Sequence, residues 1–311
     1  MPSQRKMGYT NKVYSSVKMY LDDILIRKGF FDSVASGEMD WQGNTLSQLF
    51  PNTRNDMFPA DTESSVHVWE GYKNNWVSES GVVGLASGVS DPIVASGVYI
   101  NDTFYPSSTI SGAGDGVAID FKRGRVIIES GIPSTYDVQV AHSFKEVWVD
   151  TIARDMIVQQ IETTSNTPRS GVTNVPSGQY NQLPMVLMSL DNISDTKGLQ
   201  LGAGIIMRPM LNFFIVANNR YDKDEILDTL ATRQFKSIPM LNFNAISGQF
   251  DFYGDFDTNY QSYPTLTGTY KERDIFVEES NVLDNDDNPE NNYYTAIVSM
   301  QLRLDIPEDI L

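Results

Sequence analysis

GVYINDTFYPSSTISGAGDGVAIDFKRGRVIIES, residues 97 to 130, decides the class of the fold. Val98 and Ile100 fall on one face of an extended chain and Tyr99 on the other, and Asn101-Asp102 supplies a tight turn. Past the glycine-rich SSTISGAGDG, VAID and RVIIES are joined at KRG, where Gly124 can take the left-handed conformation without a Cβ penalty. Two hairpins so close together predict an antiparallel β module.

Working outward, YDVQVAHSFKEVWVD alternates at Val138, Val140, His142 and Phe144, and VHVWEGYKNNWVSESGVV reads as a further hairpin with its turn at GYKNN. Short strands with turn residues every eight to twelve positions predict a small antiparallel sandwich over 66–150. N-terminal to it, Val13, Val17, Tyr20, Leu21, Ile24 and Leu25 recur at helical spacing between Asn11 and Phe31, with Gly29 as the stop. Residues 32–65 are rich in Ser, Gly, Asn, Asp and Pro and read as a long connection, with one short helix at TLSQLF (45–50).

Beyond 150 the pattern changes. TIARDMIVQQIETT fits a strand or a helix equally, and NTPRSGVTNVPSGQYNQLP (166–184) reads as a polar loop. MVLMSLDN, GLQLGAG and IIMRPMLNFFIVANN read as strands. YDKDEILDTLATRQFKS reads as a helix capped by Asp222 with Glu225 three residues on, burying Ile226, Leu227, Leu230 and Ala231. IPMLNF and two final strands, the last within NNYYTAIVSMQLRLDI, close the chain. The expected class is α+β, mostly β, in three parts. Residues 1–65 form a helix and arm packing with the C-terminal domain, 66–150 the sandwich-like domain, and 151–311 an α+β domain with a mixed or antiparallel sheet and one or two helices.

Composition narrows the function. The 311 residues contain no cysteine, which excludes disulfides, thiolate metal sites and cysteine nucleophiles, and only His67 and His142 are available as imidazoles. A net charge of −17 opposes wrapping nucleic acid, because phosphate contacts need Lys and Arg. The longest apolar runs, such as FFIVA (213–217), are far short of a membrane span, and no apolar segment follows the basic N-terminus as in a secretory signal. SGAGDG lacks the Lys-Ser/Thr ending and following helix of a phosphate loop, so a hairpin tip is the better reading. LDNDDNPENN offers Asp284, Asp286, Asn288 and Glu290 at alternating positions, as in a calcium loop. However, Pro289 and Thr295 stand where glycine and glutamate are required, and a solvated hairpin loop fits better. No catalytic signature appears, so the expectation is a non-enzyme with no cofactor and no metal. FDFYGDFDTNYQSYP (250–264) mixes carboxylates with rings. Phe252, Tyr253, Phe256, Tyr260 and Tyr263 are its candidates for subunit contact, because buried aromatics dominate interface energies.

NNWVSESGVV, SDPIVASGVYINDTFYP and IDFKRGRVIIES, with the later QLPMVLM, LQLGAGIIMRPMLNFFIVANN and YDKDEILDTL, resemble virion proteins of tailed double-stranded DNA bacteriophages. The resemblance covers roughly residues 66–235 and is to structural proteins of the neck or tail-terminator (tail completion) type; Asn101-Asp102 stands where Asn-Gly is usual. It implies a homo-oligomeric ring, hexameric by analogy, touching neck, connector, tail-tube or sheath proteins and located in a virion assembled in the host cytoplasm. Segments 32–65, 166–184 and 251–264 would then serve as arms. Six chains of −17 would carry roughly a hundred negative charges, letting DNA pass without specific binding and needing no membrane. The alternative from another class is a carbohydrate-binding adhesin or baseplate-periphery protein using the sandwich and the Asp/Tyr loop, with calcium at Asp284 and Asp286 as an option.

Overall fold

A computed structural model describes residues 8–43, 67–71, 73, 75–79, 81–83, 91–107, 117–121, 124–128, 137–151, 183–191, 196–198, 204–246, 262–286 and 294–306. The protein is α+β and mostly β. It divides into two compact units. One comprises Met1–Leu25, Val147–Asn166 and Asn181–Leu311, the other Ile26–Glu146 and Thr167–Tyr180.

The second unit is a seven-stranded antiparallel sheet. In chain order its strands are β1 (Phe31–Gly43), β2 (His67–Gly71), β3 (Gly97–Ile100), β4 (Thr103–Pro106), β5 (Val117–Asp120), β6 (Arg125–Ile128) and β7 (Val138–Lys145). Their spatial order is β4-β3-β7-β1-β2-β6-β5. Both hairpins of the 97–130 stretch form. Asn101 and Asp102 take φ of 46° and 64°, the two left-handed positions of a primed turn, and Gly124 takes 64°. The backbone N–H of Asn101 donates to Asp137 O at 2.9 Å, and its side-chain oxygen accepts from Asp137 N–H at 3.1 Å. Those two bonds tie the turn to the start of β7, so Asp102 is held in glycine's usual place.

The first half of β1 pairs with β7 and its second half with β2, with an irregularity between Val34 and Gly37. Val98, Ile100, Val138 and Val140 from one half of the sheet share a buried core with Trp69, Val117, Ile119, Val126 and Ile128 from the other. The two halves of the sheet, joined through β1, contribute to one core, which is compatible with the sandwich-like domain expected for this segment.

Two expectations are corrected here. Residues 31–43 are a strand rather than part of a long connection, because hydrogen bonding to two neighbours, not side-chain alternation, defines β1. The expected hairpin after β2 does not form among the described residues: the strand pairing of Trp76 is a single bridge to Phe144, and β2 lies between β1 and β6. The proposed helix at 45–50, the tip 108–116 and residues 152–182 lie outside the described residues.

The first unit is built on an eight-stranded sheet of β8 (Trp148–Thr151), β9 (Met185–Asp191), β10 (Thr196–Gly198), β11 (Ile205–Met207), β12 (Met210–Ala217), β13 (Ser237–Leu241), β14 (Lys271–Asp286) and β15 (Tyr294–Ile306). β15 lies at its centre, with β11 and β12 along one edge and β14 along the other. Only β8 and β9 run parallel among the described pairs, so the sheet is mixed. The expected strand 205–219 is broken at Arg208-Pro209, where proline has no N–H to give the ladder. In β15, Ala296, Val298, Met300, Leu302, Leu304 and Ile306 alternate into the core.

Helix α1 (Tyr9–Lys28) buries Val13, Val17, Leu21, Ile24 and Leu25, and ends at Gly29 with φ of 97°. Helix α2 (Arg220–Ala231) buries Ile226, Leu227 and Leu230. Its cap is Asn219 and not Asp222. Asn219 Oδ1 accepts from the Asp222 N–H at 2.8 Å and its Nδ2 donates to the Asp222 carboxylate at 2.5 Å, so the cap lies one turn earlier and Asp222 holds the cap's side chain. The helix also stops sooner than expected, at Ala231, and residues 232–235 turn towards β13. Lys12 of α1 and Glu272 of β14 form a nearly buried ion pair at 2.5 Å.

Candidate contact surfaces

Phe252, Tyr253, Phe256 and Tyr260 lie outside the described residues. Tyr263 opens helix α3 (Tyr263–Tyr270) and belongs to the interior of its unit. It is 3% exposed, its hydroxyl donates to Pro239 O, and its ring meets Tyr20 edge-on at 5.8 Å. Burial, with Tyr20, Asp23 and Asp274 nearby, pushes its phenol well above the ordinary range. Its surface is used within the chain, and it is not a candidate for an outward contact.

Asp284 and Asp286 lie in β14, paired with Ile297 and Thr295 of β15, so the segment that follows joins two antiparallel neighbours. Asn288 and Glu290 lie outside the described residues. Among the described residues no three His, Asp or Glu groups come together as metal ligands, and no helix is long and apolar enough to cross a membrane.

Among the described residues, two outward surfaces each carry more than one large apolar ring. In the second unit, the edge hairpin β3–β4 presents Tyr99, Phe104 and Tyr105, all more than 40% exposed. Tyr99 and Phe104 are directly opposed in the ladder, with ring centroids 5.1 Å apart. Gly97 makes that packing possible. A Cβ there would sit 2.3 Å from the Tyr105 carbonyl oxygen and 2.7 Å from the Phe104 ring. Gln139, opposite Tyr99 on β7, donates to the Asp137 carboxylate at 2.8 Å, so an amide and an acid stand beside the rings.

In the first unit the outer face of β14 and β15 bears Phe276 beside a stripe of alternating charge. Arg208 donates to Glu278 through Nε at 3.0 Å and Nη2 at 3.4 Å. Arg303 grips Asp305 with Nε and Nη2 at 2.9 and 3.0 Å, while its Nη1 lies 3.9 Å from Glu278. The fork on Asp305 raises the guanidinium's pKa further, keeping it charged. Phe235, in the turn after α2, completes the surface. It is 83% exposed and has φ of 60°, held there by bonds from its N–H to Val277 O and from Val277 N–H to Lys236 O. With Phe276, Val277, Glu278, Arg303 and Asp305 it lines an open depression of about 350 Å³.

This surface is absent from the candidates that composition and motifs offer, yet the sequence carries a signal for it. Ile275-Phe276-Val277 puts three apolar residues in a row on a strand with one buried face, so the middle one must face out.

The chain matches no protein-family model, and no curated protein matches its sequence.

Proposed function

We propose that the protein is a non-enzymatic structural component of a tailed-phage virion, a homo-oligomeric ring of the neck or of the tail-tube cap. The observation that carries this is the placing of exposed aromatics on hydrogen-bonded frames in both units: Tyr99 and Phe104 on a strand pair, Phe235 and Phe276 against β14 and β15. Rings on a rigid frame lose little conformational entropy on contact, which suits assembly. The sequence resemblance supplies the virion context, and the acidic chain suits a lumen through which DNA slides.

Molar mass in solution, followed by negative-stain imaging of the same sample, tests the reading. Uniform rings are expected. A protein that stays monomeric at high concentration and never enters particles sinks it.

One observation favours a second reading, a carbohydrate-binding module at the virion periphery. Tyr99 and Phe104 beside Gln139 and Asp137 combine ring faces with hydrogen-bonding groups. Glycan-array binding abolished by Tyr99→Ala would move the assignment there.

A further inference from the structure

We infer that the Phe235 face of the first unit pairs with the same face of a second copy of this chain, across a two-fold axis. Three features converge on it. The first is the ring itself. Phe235 is the most exposed large apolar residue described, and its left-handed φ of 60° is one that a bulky side chain rarely adopts. Such a conformation persists only where the surroundings enforce it, and here two backbone bonds with β14 do so. The second is the depression beside it. An open hollow of about 350 Å³, floored in part by Phe276 and Val277, has room for the partner's Phe235 ring.

The third is charge, and it selects the occupant. The chain as a whole carries −17, so two copies repel over most of their surfaces. At this face the order Arg208, Glu278, Arg303, Asp305 is balanced and alternates in sign. A two-fold rotation sets arginines of one copy against carboxylates of the other, so the stripe is its own complement. Donors remain for the purpose: Arg303 spends Nε and Nη2 on Asp305, and its Nη1 is beyond hydrogen-bond distance of Glu278. A basic or strongly acidic partner would find no such match.

The pairing rests on the assembly reading in needing a second copy, but it is a separate contact. Isologous faces close pairs, and a ring requires a heterologous contact elsewhere.

Sedimentation of the full chain over a range of concentrations, for wild type, Phe235→Asn and Arg303→Glu, tests it. Asparagine tolerates the left-handed conformation, so the first variant removes the ring without stressing the turn, and its melting temperature should equal or exceed that of wild type. The expected result is a pairing step weakened about 30-fold or more in Phe235→Asn, the size of a contact hot spot, and weakened also in Arg303→Glu. A folded Phe235→Asn with wild-type mass at every concentration overturns the pairing. If rings are still seen by negative stain in that case, the assembly reading stands without it. A wild type that is monomeric throughout overturns the pairing, and the assembly reading falls with it only if the chain also never enters particles.

Discussion

Replacing Lys12 by methionine should destabilise the first unit by about 2–3 kcal/mol, while replacing Lys12 and Glu272 together should restore most of the loss. The ammonium and carboxylate meet at 2.5 Å with side chains only 8% and 16% exposed, and they join α1 to β14 across a sequence separation of 260 residues. Breaking a fully buried pair costs about 3–5 kcal/mol, because the surviving charge is left desolvated. Here Glu272 keeps some access to water, which lowers the figure. Methionine retains the length and apolar body of the lysine stem, so packing is largely conserved and the charge effect is isolated. The ammonium also lies 5.2 Å from the Tyr9 ring centroid, worth roughly 0.5–1 kcal/mol that the double variant does not recover. Urea unfolding of wild type, Lys12→Met, Glu272→Leu and the double variant completes the thermodynamic cycle. A coupling below about 0.5 kcal/mol would refute the argument, since it would mean that the pair behaves as an exposed one.

Two further outcomes follow from the second unit. His142 is 3% exposed, stacks on Trp76 at 4.0 Å, and bonds Val140 O through Nδ1 at 3.1 Å. Burial lowers its pKa below 6.5, partly offset by that carbonyl, so below pH 6.5 the unfolded chain binds the extra proton first. Its contribution is therefore intact above pH 6.5 and lost as pH falls towards the folded-state value. The drop in melting temperature between pH 7.5 and 5 should be smaller in His142→Gln than in wild type, and equal drops would refute the assignment. Gly97→Ala should lower stability by about 1–3 kcal/mol, because its Cβ would lie 2.3 Å from Tyr105 O and 2.8 Å from Pro106 Cα, backbone atoms that cannot swing aside. An unchanged melting temperature would show that β4 shifts freely at the edge.

The elements legible in the sequence are those in which local chemistry and tertiary position agree. Asn101-Asp102 and Gly124 carry their turns in the backbone preferences of the residues themselves, and α1 carries its stripe and its glycine stop. β1 was illegible for the opposite reason. FDSVASGEMDWQG has no clean alternation, and its state is fixed by β7 and β2, which lie far along the chain. The helix cap is ambiguous in the sequence because Asp222 with Glu225 and Asn219 with Asp222 are both good pairs at the same spacing. Only the path of the chain leaving β12 decides between them. Candidate contacts suffered similarly. An aromatic in a polar segment looks exposed, yet Tyr263 turns inward over Pro239, whereas Phe235, written into an apparent helix end, turns out.

If the Phe235 face does pair copies, pairing must first strengthen as salt is added, and this follows from two length scales. Copies carrying −17 each repel through their whole fields, and at about 0.01 M salt the screening length is roughly 30 Å, comparable with a domain. At about 0.1 M it contracts to roughly 10 Å, which removes most of that repulsion while leaving charges in contact still able to attract. Arg303 and Asp305, 2.9 Å apart within one copy, set the scale of the contacts that a second copy would make. Near 1 M the screening length is about 3 Å and those contacts weaken as well, leaving Phe235 and Phe276 to hold the pair. Pairing should therefore strengthen from low to moderate salt and then level off or decline. The Arg303→Glu variant, which adds charge of the repelling sign, should shift the rise to higher salt. A pairing constant that falls steadily from the lowest salt upward would mean that attraction between charges dominates at every range, which a −17 chain joined through a balanced stripe cannot produce.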